Sequence, residues 1–456
     1  MSFVPEFVAG RKAVRFRLAN ALVVTSAFIA GIGVFVALQA PRTSLVLLAG
    51  VAALAALLLF PELALALFVV IGDLKGDDRV AAILPWDLTL ALGAVLIAGI
   101  ALNFFRGKPV ARPPGVYLLF VPFVAVMTAS LAYTPVFDAG LEKLGRFIGI
   151  TGISILAPFF VLGTPCSLKR FFVGFSVAGF AICAWSLSAL DGSARLATPS
   201  NNTIALGHIA CALILILWFG AIPRVSFPQR FAACFLLAVP AVALIGSGSR
   251  GPLIACAVVV LASVLVDRRR WLDLGCLAAL ALAAVPFLKL PASSLDYLGT
   301  LVRSRTTAEL LSFRGDLIDS AWRLLQQHPL IGGGIQSFRY FSPNSALYNW
   351  PHNIFLEIAC ELGIPAALLV CAVFGTAIRE SLRQIRYRTA PHFAFSEITA
   401  ALLAVGIING TNTGDINSDR LTWLFVSLVF VARAIRTPDR QRVSSPVYAQ
   451  QPAETS

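Results

Sequence analysis

The feature that most constrains this chain is the recurrence of long apolar blocks, each bounded by a short polar or basic segment. The blocks run to about 17–25 residues, and a helix of that length crosses a hydrocarbon core of about 30 Å. They are apolar all round. A β-barrel strand would instead alternate in polarity over ~10 residues. Hydrophobic residues make up 58% of the chain and charged residues only 13%, about half the charged share of a soluble domain. The sequence therefore predicts an all-α polytopic membrane protein with about 12–14 transmembrane helices.

The expected spans lie at 19–39, 44–60, 62–72, 83–104, 116–133, 146–163, 171–190, 204–221, 231–245, 252–266, 271–288, 354–378, 396–411 and 421–435. Basic clusters fall on alternate connections. They are Arg11 to Arg17, Arg106 to Arg112, Lys169-Arg170, Arg224 with Arg230, Arg268 to Arg270, Arg379 to Arg388, and Arg436 to Arg442. Cytoplasmic loops carry the excess of Lys and Arg, so both termini are expected in the cytoplasm and the number of spans is even. Fourteen spans fit this alternation, and twelve fit if two weak segments do not cross. The first block follows a basic head and is long enough to remain as a span, unlike a cleaved signal peptide. The expected organisation is a basic head at 1–18, a bundle of about eleven spans at 19–288, one large outer loop at 289–353, C-terminal spans at 354–436 and a polar tail at 437–456. A shorter loop carrying Asp138, Glu142 and Lys143 is expected before the sixth span.

Several function classes drop out on composition. The net charge of +13 is dispersed in loop clusters rather than gathered on one face, which argues against nucleic acid as a partner. The eight cysteines sit mostly inside apolar blocks without a C-x-x-C pair, as small buried hydrophobes do. Four histidines without an H-E-x-x-H motif make a zinc site improbable, and no metal or other cofactor is expected. Asp77-Asp78 lacks a third ligand in the sequence and reads better as a solvated loop than as a divalent-cation site.

Chemistry is expected where polar residues gather on the outer side. Arg250 sits between Gly248 and Gly251 in a very tight connection, where an arginine near hydrocarbon is expensive. It is either a functional group or a snorkelling boundary residue. The polar stretch from Lys289 to His352 carries Arg303, Arg305, Arg314, Arg323 and Arg339. Within it, 312–327 reads as an amphipathic helix lying on the membrane face, with Leu317, Ala321, Leu324 and Leu325 on one side and Asp316, Asp319 and Arg323 on another. Arg314 is expected near its start, and Arg323 is expected to pair with Asp319. Gly332-Gly333-Gly334 is a weak candidate phosphate cradle. His352 precedes a span and suits a general base near neutral pH, or else an interfacial histidine bonded to backbone. Glu357 and Glu361 lie one turn apart on one face of that span, which implies an inward polar pocket. They orient His352, bind sugar hydroxyls or serve the helix alone.

Ser249-Arg250-Gly251, the run Arg314…Trp322…His328-Pro329-Leu330-Ile331-Gly332-Gly333-Gly334, and His352-Asn353…Glu361-Leu362-Gly363 resemble, in order and spacing, the O-antigen ligase and polymerase superfamily. The motif-bearing part covers roughly 200–378. The resemblance implies an inner-membrane glycosyltransferase of GT-C-like architecture, with its active site facing the periplasm. The implied donor is an undecaprenyl-diphosphate-linked glycan, and the acceptor is lipid A–core or a second lipid-linked glycan. Carried onto this chain, Arg250 and Arg314, with Arg195 as a weaker candidate, bind the diphosphate. His352 takes the proton of the acceptor hydroxyl, giving an inverting transfer without a metal. Asn353, Glu357 and Glu361 support the site, and Asp415 and Asp419 have at most a supporting role. The rival class is a transporter or flippase. That reading would call for broken mid-membrane helices, paired intramembrane charges and inverted repeats, none of which stands out clearly in the sequence.

Overall fold

The computed structural model describes residues 41–74, 87–188, 195–224, 227–268, 270–275, 307–342, 349–386, 393–412 and 414–436. Among them every regular element is helical. The chain divides into two units, 1–60 and 61–456. The first contributes one described helix, α1 (Pro41–Leu59). The second holds α2 (Pro61–Val70), α3 (Leu88–Phe105), α4 (Phe120–Ser130), α5 (Phe137–Val161), α6 (Pro165–Leu187), α7 (Thr203–Gly220), α8 (Phe227–Gly246), α9 (Arg250–Val266), α10 (Thr307–Gln327), α11 (Ile354–Arg386), α12 (Phe393–Asn412) and α13 (Arg420–Arg436).

Among the described residues, α3, α5, α6, α7, α11 and α12 are long and apolar enough to cross a membrane, and Gly115–Ser130, Leu236–Gly246 and α9 are shorter apolar helices. The protein is thus an all-α polytopic membrane protein. The first expected span and most of the eleventh lie outside the described residues, as do Asp77-Asp78 and the tail. Helix starts are set by local chemistry. The Asp87 carboxylate accepts from the Thr89 and Leu90 amides at 2.8 and 3.2 Å. Thr164 and Ser167 form a reciprocal capping box ahead of Pro165. Asn202 caps α7 through the Ile204 and Ala205 amides. Small residues admit close helix contacts, as in membrane bundles generally. A Cβ at Gly406 on α12 would lie 3.2 Å from both Phe425 and Thr422 on α13.

Two expectations change here. The segment with Asp138, Glu142 and Lys143 is not a loop: it is the opening of α5, which continues through a π-turn at Phe147–Thr151. Its charges are spaced for a helix. Glu142 pairs with Arg146 at 2.8 Å on the exposed side, while Lys143 and Leu144 face inward. An apolar-run criterion starts this span at 146 and misses its amphipathic beginning. The amphipathic helix, in turn, begins at Thr307, so Arg314 lies well inside it. Leu317, Ala321, Leu324 and Leu325 do form its buried stripe, and Arg323 does pair with Asp319, at 2.5 Å. That stripe packs on Phe338 and on Ala359 and Cys360 of α11 rather than on lipid.

The helix ends form two polar groups. At one, Arg170 pairs with buried Glu62, Arg270 with Glu397 at 3.2 Å and Arg433 with Glu380 at 3.2 Å. At the other, the starts of α3, α5, α7, α9, α11 and α13 converge with the segments 130–136, 195–202, 329–342 and 414–419. Trp423, 1% exposed, anchors this end. Its ring meets Phe120, Phe147 and Phe374 edge-on, and its indole N–H donates to the Ile416 carbonyl at 3.0 Å. Each such aromatic pair contributes roughly 0.5–1.5 kcal/mol.

Candidate functional site

The site is built on a break in α11. Gly363 has φ +87 and ψ 165, and Pro365 follows. Pro365 has no N–H, so the Glu361 carbonyl loses its helical donor. The Gly334 amide replaces it at 2.9 Å. The Gly333 amide likewise donates to the Cys360 carbonyl, and the Ile364 amide to the Pro329 carbonyl, both at 2.9 Å. Backbones meet so closely that a Cβ on Gly332 would lie 2.2 Å from Glu361 C, and one on Gly363 2.2 Å from Leu330 O. The triple glycine is therefore a packing surface for α11, with its Gly333 and Gly334 amides engaged, and not a phosphate cradle. From the opposite side Tyr133 Oη donates to the Ile331 carbonyl at 2.6 Å and Thr134 Oγ1 to the Ile335 carbonyl at 2.7 Å.

Glu357 and Glu361, 1% and 2% exposed, meet a partner that the apolar-run criterion leaves in a loop. Lys143 Nζ lies 2.5 Å from Glu357 Oε1 and 2.7 Å from Glu361 Oε2. Glu361 Oε2 also accepts from the Gln336 amide at 2.8 Å, and Glu357 Oε2 from the Ile416 amide at 3.0 Å. Asn417 Nδ2 donates to the Lys143 carbonyl at 2.9 Å and Asn417 Oδ1 accepts from Thr151 at 3.1 Å. The signal for Lys143 was available in principle. Two acids buried in a span demand a nearby cation, and Asp138, Glu142 and Arg146 recur at the four-residue spacing of a helix, which places Lys143 on that helix too.

His352 stands at the head of α11 in a left-handed conformation, φ +56, rarely adopted by residues other than glycine. Its ring lies edge-on to Trp350 at 5.6 Å. Asn353 Oδ1 caps the helix through the Phe355 and Leu356 amides at 3.0 and 3.1 Å, so its side-chain oxygen serves the helix.

Arg195 is tied to the turn that precedes Arg250. Arg195 Nε donates to the Ser247 carbonyl at 2.9 Å and its Nη2 to Thr203 Oγ1 at 3.2 Å. Gly248, φ +61, gives the turn; a Cβ there would lie 2.9 Å from Arg195 Nε. Ser249 Oγ donates to the Thr203 carbonyl at 2.8 Å, tying the turn to α7, and half-buried Arg250 opens α9 directly after it. Arg314 is on α10, and its side chain is outside the described residues.

A cavity of about 1130 Å³ lies at this end of the bundle. Its walls include Lys143, Glu357, Arg339, Trp350, Asp419 and Arg420. His352, Arg195 and Arg250 are not among the described residues that line it. His352 touches it through Trp350, and the turn before Arg250 adjoins it through Asn202 and Ala205 of the α7 start. Asp415 folds its own loop, accepting from the Asn417 and Ser418 amides at 2.7 and 3.1 Å. Asp419 accepts from Thr422 Oγ1 at 2.8 Å, and burial pushes its carboxyl up to about 7. Among the described residues no three His, Cys, Asp or Glu side chains are grouped to hold a metal ion.

The membrane-crossing helices and the polar, charged cavity at one end define an integral membrane protein with a candidate site at that end. The break in α11 and the Lys143–Glu357–Glu361 group are features a transporter also uses, so the comparisons decide the class. Residues 232–371 match the family described as O-antigen ligase, a stretch that carries Arg250, Arg314, the glycine run, His352, Glu357 and Glu361. The O-antigen ligase of Pseudomonas aeruginosa is 26% identical over 340 residues, covering 71% of this chain and 79% of the relative. The two matches support its place in the O-antigen ligase and polymerase superfamily, and with it a glycosyltransferase-like enzyme of lipopolysaccharide and polysaccharide biosynthesis.

Proposed function

We propose that the chain transfers a glycan from an undecaprenyl-diphosphate carrier to a sugar hydroxyl of lipid A–core on the periplasmic side of the inner membrane, as an O-antigen ligase. The observation that supports this reading is the placement of His352, in a constrained backbone at the head of α11 and against a tryptophan of the cavity wall. In the reaction the His352 imidazole accepts the proton of the acceptor hydroxyl. The oxygen attacks the anomeric carbon as the bond to the diphosphate oxygen breaks. The carrier diphosphate leaves with the electron pair, and the configuration inverts. Charge grows on the leaving diphosphate, and arginine gives planar, bidentate and permanently charged contacts to phosphate. Arg250 and Arg314 take that role. Arg195, held to Ser247 and Thr203, braces the turn that presents Arg250.

The test is the surface glycan profile of a deletion strain complemented with wild type, His352→Ala, Arg250→Ala or Arg314→Ala. A ligase predicts that each variant leaves lipid A–core bare while full-length polymer persists on the lipid carrier. Single repeat units capping the core would assign a polymerase instead. An unchanged profile in all three variants overturns the mechanism.

A further inference from the structure

We infer that Lys143, Glu357 and Glu361 form a clamp that holds the head of α11 in register with the cavity loops, making Lys143 a positioning residue for transfer. The inference rests on the transfer reading above. Lys143 is the only ammonium within ion-pair distance of the two carboxylates among the described residues. Each carboxylate also receives a backbone amide, and each amide belongs to a different segment. Gln336 comes from the segment after the glycine run and Ile416 from the α12–α13 connection. The Lys143 carbonyl in turn receives Asn417 of that same connection. One turn of α11, 357 to 361, therefore ties together α5, 329–336 and 414–419.

His352 lies five residues before Glu357, and Asn353 caps the turn between them. The Glu357 amide donates to the Asn353 carbonyl at 2.9 Å, so a shift of α11 at Glu357 acts on the residue next to the histidine. The clamp also forms part of the cavity wall: Lys143, Glu357, Gln336 and Asn417 all line it. A misplacement of about 1 Å in a reacting group can cost 100-fold in rate. Stability alone is a poor reason for such a cluster. The two carboxylates share one ammonium, and well-packed apolar replacements of buried ion pairs are often as stable or more so.

The experiment uses the purified full chain in detergent with a synthetic undecaprenyl-diphosphate glycan and lipid A–core. Lys143→Met alone strands two buried carboxylates, so it lowers membrane level and melting temperature. The triple variant Lys143→Met/Glu357→Gln/Glu361→Gln removes the charge and keeps the volume. The clamp predicts near wild-type membrane level and melting for the triple variant. It also predicts a kcat lowered by about 10- to 100-fold with the donor KM within about twofold. Wild-type kcat in the triple variant overturns the clamp. Should that variant not accumulate, Asn417→Ala carries the test without any change of charge. It is expected to lower the melting temperature modestly through its two lost bonds and to lose about threefold or more in kcat per folded molecule, and wild-type kcat there also overturns the clamp. His352→Ala is run in parallel. If it keeps the wild-type rate, the transfer reading fails whatever the clamp variants do.

Discussion

Replacing Gly363 by alanine puts the packing of the glycine run on α11 to a direct test. At φ +87 and ψ 165, Gly363 occupies a region essentially closed to other residues. The added methyl would stand 2.2 Å from the Leu330 carbonyl oxygen and 2.5 Å from its carbon. Backbone cannot give way as a side-chain tip does, so the 329–334 segment must move off α11. Three hydrogen bonds go with it: Ile364 to Pro329, Gly333 to Cys360 and Gly334 to Glu361. Backbone strain and three lost bonds in a membrane protein together amount to a loss on the order of 3–7 kcal/mol. The assay is the unfolding midpoint of detergent-solubilised protein against SDS, with transfer measured per folded molecule. Gly375 is the control, because it lies on the same helix and an added methyl there would meet nothing within 4 Å. Its replacement by alanine is expected to be neutral or to stabilise by about 0.5–1 kcal/mol. A Gly363→Ala protein within about 1 kcal/mol of wild type would refute the reasoning.

Asn353→Ala removes the cap of α11 and should lower stability by about 1 kcal/mol, with transfer falling several-fold because the freed turn adjoins His352; Asn353→Asp should retain most of both. Arg195→Ala should lower stability by about 1–3 kcal/mol through loss of its bonds to Ser247 and Thr203. Arg195→Lys should not rescue it, since an ammonium cannot reproduce the fork; thermal melting and transfer read both. Asp419 makes a pH prediction. Its folded value of about 7 lies above the usual 3.8, so its contribution is fully present below about 4 and is lost as pH rises through 7. Melting temperature should therefore fall from pH 5 to 8, and Asp419→Asn should flatten that slope.

Much of this organisation can be read from residues alone, because the bilayer imposes a length and a polarity on every crossing segment. The apolar blocks at 83–104, 204–221 and 354–378 correspond to α3, α7 and α11. The stripe Leu317, Ala321, Leu324, Leu325 marks a true buried face, although periodicity could not say that α11, not lipid, covers it. Lys143 escaped because it sits where α5 is amphipathic, short of the apolar run that signals a span. Its pairing with acids more than two hundred residues away is a tertiary fact without a local pattern. The glycine run was legible as something special, but its purpose depends on the break at Gly363 and the missing N–H of Pro365. Asn353 reads as a cap only once the helix is known to start at Ile354.

The central claim is that His352 is the base for glycosyl transfer. The most direct measurement is the single-turnover rate of purified wild type and His352→Ala with a radiolabelled undecaprenyl-diphosphate glycan and lipid A–core, at matched melting temperature. The account predicts a loss of about 10²- to 10⁴-fold in His352→Ala with donor binding retained. Transfer at the wild-type rate by His352→Ala would contradict it.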